Sequence, residues 1–271
     1  MSALLHRSAS ALLDVVHNGD IALRVDAQLH RVQGHHAGPS EVSSWRASLP
    51  VLLQDLVDAG LGDVDVLLEY QLPFTSRRVD AVLAGTHPQT GEPSFVAVEL
   101  KQWSAATTWE DDPALVSVPH SPGLRLHPQL QVDGYRQYLI DFVSLLHDRP
   151  ASVQGVAYLH NAYASDVDVD PVGVGAQPSV MFTADRKQEW LAFLTTHLSP
   201  QSAAGAGHAL LESSFRPSRS LLAVAADQIR TREQFTLLAE QQLAYRLVLH
   251  EVERADRSRG KTIVVVTGGP G

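Results

Sequence analysis

Residues 78–101 read RVDAVLAGTHPQTGEPSFVAVELK, and this stretch decides the fold. Its two ends are β-rich, at 78–84 (RVDAVLA) and 95–100 (FVAVEL), and the middle, THPQTGEPS, has the Pro, Gly and Thr content of a hairpin connection. FVAV does not alternate apolar with polar residues, which marks a strand buried on both faces. Side chains two apart on a strand project from the same face. Glu99 and Lys101 therefore point together, while Leu100 points into the core. Pairing the two ends as a hairpin can bring Asp80 beside Glu99. Two carboxylates that close repel one another unless a cation sits between them, and oxygen ligands favour a hard ion, Mg²⁺ or Mn²⁺. Lys101 can act as a point charge beside an attacking water or a developing phosphorane. An E-x-K pair on a strand is often no more than a solvated face. The buried run before it and the Asp on the partner strand argue against that here.

The rest of the chain extends this core. Residues 3–17 carry apolar side chains near helical spacing, and 20–33 read as a second short helix. A third helix over 40–57 buries Trp45, Leu49, Leu52, Leu53, Leu56 and Val57, with Ser40 or Ser43 as N-cap and Gly60 and Gly62 at its end. A strand at 64–72 follows, then the two strands of the hairpin. Residues 104–128 form a polar loop punctuated by Pro113, Pro119, Pro122 and Pro128. A helix over 129–146, a strand over 153–160, a loop over 161–178 and a helix over 185–198 come next. After a small-residue loop at 201–207, a long helical stretch covers about 219–257. Consecutive strands with tight turns pair antiparallel, and a strand reached through a helix joins in parallel. The expected fold is α/β: an α-β-β-β-α-β mixed sheet flanked by helices, with N-terminal helices and a C-terminal helical connector.

Composition narrows the function. The chain has 271 residues, 21 Lys+Arg, 30 Asp+Glu and a formal charge of −9, which argues against coating nucleic acid with a general basic surface. The acidity is uneven: residues 1–215 hold 12 basic against 24 acidic side chains, and residues 216–271 hold 9 against 6. The absence of Cys removes disulfides, Cys-ligated zinc, iron–sulfur clusters and thiol nucleophiles. No apolar run approaches the ~20 residues of a membrane span, and MSALLHRSAS lacks the apolar region of a secretory signal. A cytoplasmic protein without a membrane partner is the expectation. At the other end, the β-branched run at 263–267 reads as a buried parallel strand, and Gly268, Gly269, Pro270 and Gly271 follow it as the opening of a phosphate-binding loop. The expectation is a piece of a longer protein that continues into a P-loop ATPase, with ATP bound only in that parent.

At Val79-Asp80 and Glu99-Leu100-Lys101 the sequence resembles the PD-(D/E)XK, restriction-endonuclease-like, nuclease superfamily, with Val79 where a Pro is usual. Gln131 and Tyr135, spaced Q-x-x-x-Y, resemble its RecB-type branch. The stretches SEVSSWRASLP, VELKQWS, HPQLQVDGYRQYL and VMFTADRKQEWLAFL with Pro217-Ser218 resemble a bacterial family in which such a module precedes a Schlafen-group-3-like helicase. The resemblance implies metal-assisted phosphodiester hydrolysis, on DNA in preference to RNA. Asp80, Glu99 and the Leu100 carbonyl would hold Mg²⁺ or Mn²⁺, Lys101 would orient or activate the water, and Gln131 and Tyr135 would position catalytic groups and strand. It adds Glu41, on the first core helix, as support for the metal or its water, with two alternatives: Glu69 in that role, or Glu41 as a plain helix-N-terminal acid. It divides the chain into an N-terminal helical segment (1–39), a nuclease domain (40–200), a helical connector (201–257) and the start of the ATPase (258–271). Gln241 or Gln242 would be the adenine-contacting glutamine, next to Gly268, Gly269 and Gly271 of the P-loop.

Arg77, Arg78, Gln102 and Trp103 flank the catalytic strands as candidate nucleic-acid contacts by charge and stacking. His127 is a candidate phosphate contact. The alternating acids Asp166, Asp168 and Asp170 lack the Gly and distal Glu of a calcium loop. A zinc site would need four His or acidic ligands and finds no such pattern. The competing function is a decayed nuclease fold that binds nucleic acid or a protein partner. An intact Asp80, Glu99 and Lys101 favours the enzyme.

Overall fold

The computed structural model describes residues 3–169, 179–200, 205–222, 239–257 and 263–266. A helix α3 (Pro39–Asp58) leads into three strands, β2 (Asp65–Gln71), β3 (Arg78–Thr86) and β4 (Pro93–Lys101). The hairpin over 78–101 forms, with Ala81 opposite Val98 and Thr86 opposite Pro93. A helix α4 (Pro128–Phe142) returns the chain to β8 (Val153–Leu159), which runs parallel to β4 from Phe95↔Val153 to Lys101↔Leu159. With β1 (Leu5–Ser8) at one edge and β10 (Val180–Thr183) at the other, the main sheet has the order β1-β2-β3-β4-β8-β10. The protein is mixed α/β, with helices on both faces.

The two faces explain why FVAV does not alternate. Helices α1 (Ala9–His17), α2 (Ile21–Gln33), α3 and α5 (Lys187–His197) cover Val66, Leu83, Val96, Val98 and Leu100 on one side. Helix α4 and α6 (Ala206–Glu212) cover Leu67, Val82, Phe95 and Ala97 on the other. On α3 the buried positions Trp45, Leu49, Leu52, Leu53 and Leu56 follow helical periodicity. Leu52 and Leu53 are fully buried, and truncating either to Ala would cost about 2–5 kcal/mol.

Several expectations need correction. Residues 5–8 are not helical. They pair antiparallel with 65–68, because the outer side of β2 presents backbone groups that need partners, and Ser8 then caps α1 through its side chain. Helix α3 starts at Pro39 behind Gly38, without a Ser side-chain cap. The supposed loop at 104–128 holds β5 (Ala106–Trp109), β6 (Asp112–Ser117) and β7 (Arg125–Leu126). These form a second sheet with β9 (Val167–Asp168), in the order β7-β6-β5-β9. Pro113 falls at a strand start and Pro119 and Pro122 in the turn after β6, where no ladder hydrogen bond is lost, and Pro128 opens α4. The helical stretch is described at its end as α7 (Ala239–Arg257), held to the small sheet by Arg246–Asp112 at 2.9 Å. Ile263, Val264, Val265 and Val266 pair with none of the described strands, and Ile263 is 87% exposed. A β-branched run becomes a strand only beside a hydrogen-bonding neighbour. No helix among the described residues is long and apolar enough to cross a membrane.

Candidate active site

At the end of the sheet where β2 and β4 finish and β3 begins, α3 and α4 stand apart and leave a cavity of about 280 Å³. Its lining includes Glu41, Trp45, Ser48, Glu69, Arg78, Asp80, Glu99, Gln131 and Tyr135. The site is shaped by a break in strand alternation. Glu69 has φ 51°, a left-handed conformation that costs a non-glycine residue about 1–3 kcal/mol. Leu68 pairs with Ala81 and Tyr70 with Val79, so Glu69 faces Asp80. Yet Leu68 and Ala81 join the α3-side core while Tyr70 and Val79 join the α4-side core. Both strands switch faces at the same point without losing register. The switch frees Asp80 and Glu69 from the apolar layers.

Asp80 occupies the place where the β3–β4 ladder would continue. Its Oδ2 accepts the Leu100 backbone N–H at 2.7 Å. The residue is half-buried, and desolvation, then the charge of Glu99, then that of Glu69, push its pKa well above the usual carboxylate range. Lys101 acts the other way without prevailing.

Glu99 is 5% exposed and points with Lys101 toward α4, as their spacing predicts, while Leu100 packs in the opposite core. Its Oε1 accepts from Lys101 Nζ at 2.7 Å and from Gln131 Nε2 at 2.7 Å. Its Oε2 is buried with no hydrogen-bond partner among the described residues. Gln131 also accepts from Lys101 Nζ at 2.9 Å and donates to the Tyr135 hydroxyl at 3.0 Å. One turn of α4 thus aligns Gln131 and Tyr135 along a single face. Burial raises the Tyr135 phenol, with Glu99 adding to it, so it stays protonated. The Lys101 ammonium has three donors. Two are committed, and Nζ stands 5.2 Å from the Trp103 ring centre.

The opposite wall is differently built. Glu69 Oε1 accepts the Trp45 indole N–H at 2.7 Å, and Oε2 accepts Arg78 Nε at 2.7 Å. The same guanidinium pairs with Glu41. Burial outweighs these partners, and the Glu69 pKa is pushed up to about 7.

The remaining candidates divide. Glu41 lines the cavity, tied to Arg78. Arg78 itself is held inward between two carboxylates. Arg77 lies close enough for its charge to act on Tyr135. Gln102 turns back onto α3, donating to the Ser44 carbonyl at 3.0 Å. Trp103 packs against both the main core and the small sheet. His127 is fully buried and caps α4, its Nδ1 accepting the Gln129 N–H at 3.1 Å, so its expected contact with phosphate is excluded. Gln241 is exposed on α7. Gly268, Gly269 and Gly271 lie outside the described residues. Ser48 also lines the cavity and is backed by His160, a pair not evident in the sequence because the two are 112 residues apart.

Among the described residues no three His, Asp or Glu side chains converge as a metal-binding group. Asp80 and Glu99 nonetheless fit a hard cation. They are mutually repelling oxygen ligands in a desolvated site, and the Glu99 Oε2 lone pairs are unanswered among the described residues. The chain matches no protein-family model, no curated protein and no solved structure.

Proposed function

We propose that this chain is a Mg²⁺- or Mn²⁺-dependent nuclease module of the PD-(D/E)XK type, acting on nucleic acid, foremost DNA, and working beside a P-loop helicase. One observation carries the reading. The half-buried Asp80 is disfavoured in its ionised form beside the buried Glu99, while Lys101 and Gln131 bond one oxygen of the Glu and leave the other without a partner among the described residues. A fold gains nothing from such a pair, whereas a divalent ion does.

Asp80, Glu99 and the Leu100 carbonyl would hold that ion, which supplies an acidified water and charge stabilisation at the phosphorus. The protein groups have separate roles. Leu100 N–H fixes Asp80 Oδ2 and so sets which lone pairs face the cavity. Gln131 locks the Glu99 rotamer and, through Tyr135, the face of α4. Lys101, pinned by two acceptors, keeps one N–H to orient a water or neutralise a phosphate oxygen. The test is incubation of single- and double-stranded DNA and RNA with Mg²⁺ or Mn²⁺. Cleavage lost on Asp80→Asn and on Lys101→Ala supports the reading. Cleavage that survives both sinks it.

A further inference from the structure

Ser48 lies one turn beyond Ser44 on α3 and is 2% exposed, yet lines the cavity across from Glu99. Its Oγ is 2.9 Å from His160 Nε2 and 3.4 Å from Gln102 Nε2. His160 directly follows β8, and its Nδ1 is buried without a partner among the described residues. Burial lowers the imidazole pKa and outweighs the Asn161 side chain and the Asp55 charge, which act the other way, so the ring is neutral and carries one proton. A proton on Nδ1 would bury an unanswered N–H. A proton on Nε2 reaches Ser48 and leaves only a bare lone pair, the cheaper arrangement. Gln102, anchored on the Ser44 carbonyl, supplies a second donor. The Ser48 oxygen thus accepts twice, and its own proton has no acceptor among the described residues. A buried hydroxyl proton seeks one, and the open direction is the cavity. Carboxylates crowd the far side, so an anionic oxygen finds its neutral donor here.

We infer that Ser48 is a phosphate-contacting residue, its hydroxyl donating to a non-bridging oxygen of the bound phosphodiester, with His160 and Gln102 as positioning residues. The inference rests on the nuclease reading and names a group outside the metal-and-lysine set. Gln102 then acts on the strand through Ser48 and not by touching it.

The test compares the wild-type protein with Ser48→Ala, Ser48→Thr and His160→Ala. Affinity for a fluorescein-labelled DNA oligonucleotide is read in EDTA by anisotropy, kcat and KM in Mg²⁺, and the fold by thermal melting. Oligonucleotides of all-Rp or all-Sp phosphorothioate linkage are cleaved alongside the normal one. Sulfur is a poor acceptor. Ser48→Ala should weaken binding and kcat/KM on the normal strand by about tenfold or more, with no further loss on the diastereomer whose sulfur replaces the held oxygen. Ser48→Thr should restore most of the loss, and His160→Ala should fall between. Equal slowing of all three substrates marks a structural residue and overturns the inference, as do unchanged binding and kinetics in a folded Ser48→Ala. Wild-type protein that cleaves nothing overturns the nuclease reading alone if Ser48→Ala still weakens binding. If the wild-type protein neither binds nor cleaves, both fall.

Discussion

On the α3 wall of the cavity each oxygen of Glu69 has its own donor, Trp45 on one and Arg78 on the other. On the α4 wall Glu99 receives both of its donors on Oε1, and Oε2 faces none among the described residues. The two acids are equally buried, at 4% and 5% exposure. Burial therefore does not separate them; satisfaction does. A carboxylate bonded at both oxygens braces α3 to the sheet. One left half-bonded beside a second acid costs stability in the free protein and waits for a ligand.

The largest expected effects break the α4 wall. Asp80→Asn and Lys101→Ala should each lower cleavage by about a thousandfold. Asp80→Asn should also raise the melting temperature in EDTA, because it replaces a carboxyl whose ionised form is desolvated and repelled by Glu99 with a neutral group. Lys101→Ala should lower it, because it strips Glu99 of its cation. Opposite stability shifts with the same loss of activity are read from one melting series and one cleavage gel.

On the α3 wall the order reverses, with stability lost first. Arg78→Ala leaves Glu69 buried without its cation and should destabilise by about 3 kcal/mol. The double variant Arg78→Ala, Glu69→Gln should recover much of this in denaturant titration. Its pH dependence has a definite sign. The Glu69 pKa rises from 4.5 unfolded to about 7 folded, so the folded state holds the proton more tightly. Its contribution is full below pH 4.5 and is lost as pH rises toward 7 and through it. Glu69→Gln should flatten that part of the stability profile. Trp45→Phe should cost about 1–3 kcal/mol through the lost indole donor. The smallest effect is at Glu41, whose side chain is 38% exposed. Glu41→Ala should change stability by no more than about 1 kcal/mol. A large loss of cleavage there would make Glu41 more than an Arg78 partner.

What the sequence revealed follows from how local each signal was. The 78–101 hairpin, the shared face of Glu99 and Lys101, the inward Leu100 and the Gln131–Tyr135 spacing rest on periodicities of two and four residues, and all appear as read. The parallel β4–β8 pairing followed from the intervening helix. Leu5–Ser8 carries no strand signature, because a four-residue edge strand has no period of its own and continues into α1. The second sheet has no clear signature because three of its strands, two to six residues long, lie in a proline-punctuated segment and the fourth is a two-residue strand about forty residues further on. His127, a candidate phosphate contact by sequence, is a buried cap, a role set by the helix after it. The left-handed Glu69 and the Ser48–His160 contact have no sequence signature, because a face switch in two paired strands and a 112-residue separation are made only by the assembled fold.

The most direct measurement is a cleavage assay on labelled DNA, with and without Mg²⁺, for the wild-type protein, Asp80→Asn and Glu69→Gln. The asymmetry between the walls predicts cleavage that requires metal, disappears with Asp80→Asn and persists in Glu69→Gln once the variant is shown to be folded. Metal-independent cleavage, or loss on Glu69→Gln with full activity in Asp80→Asn, would contradict it.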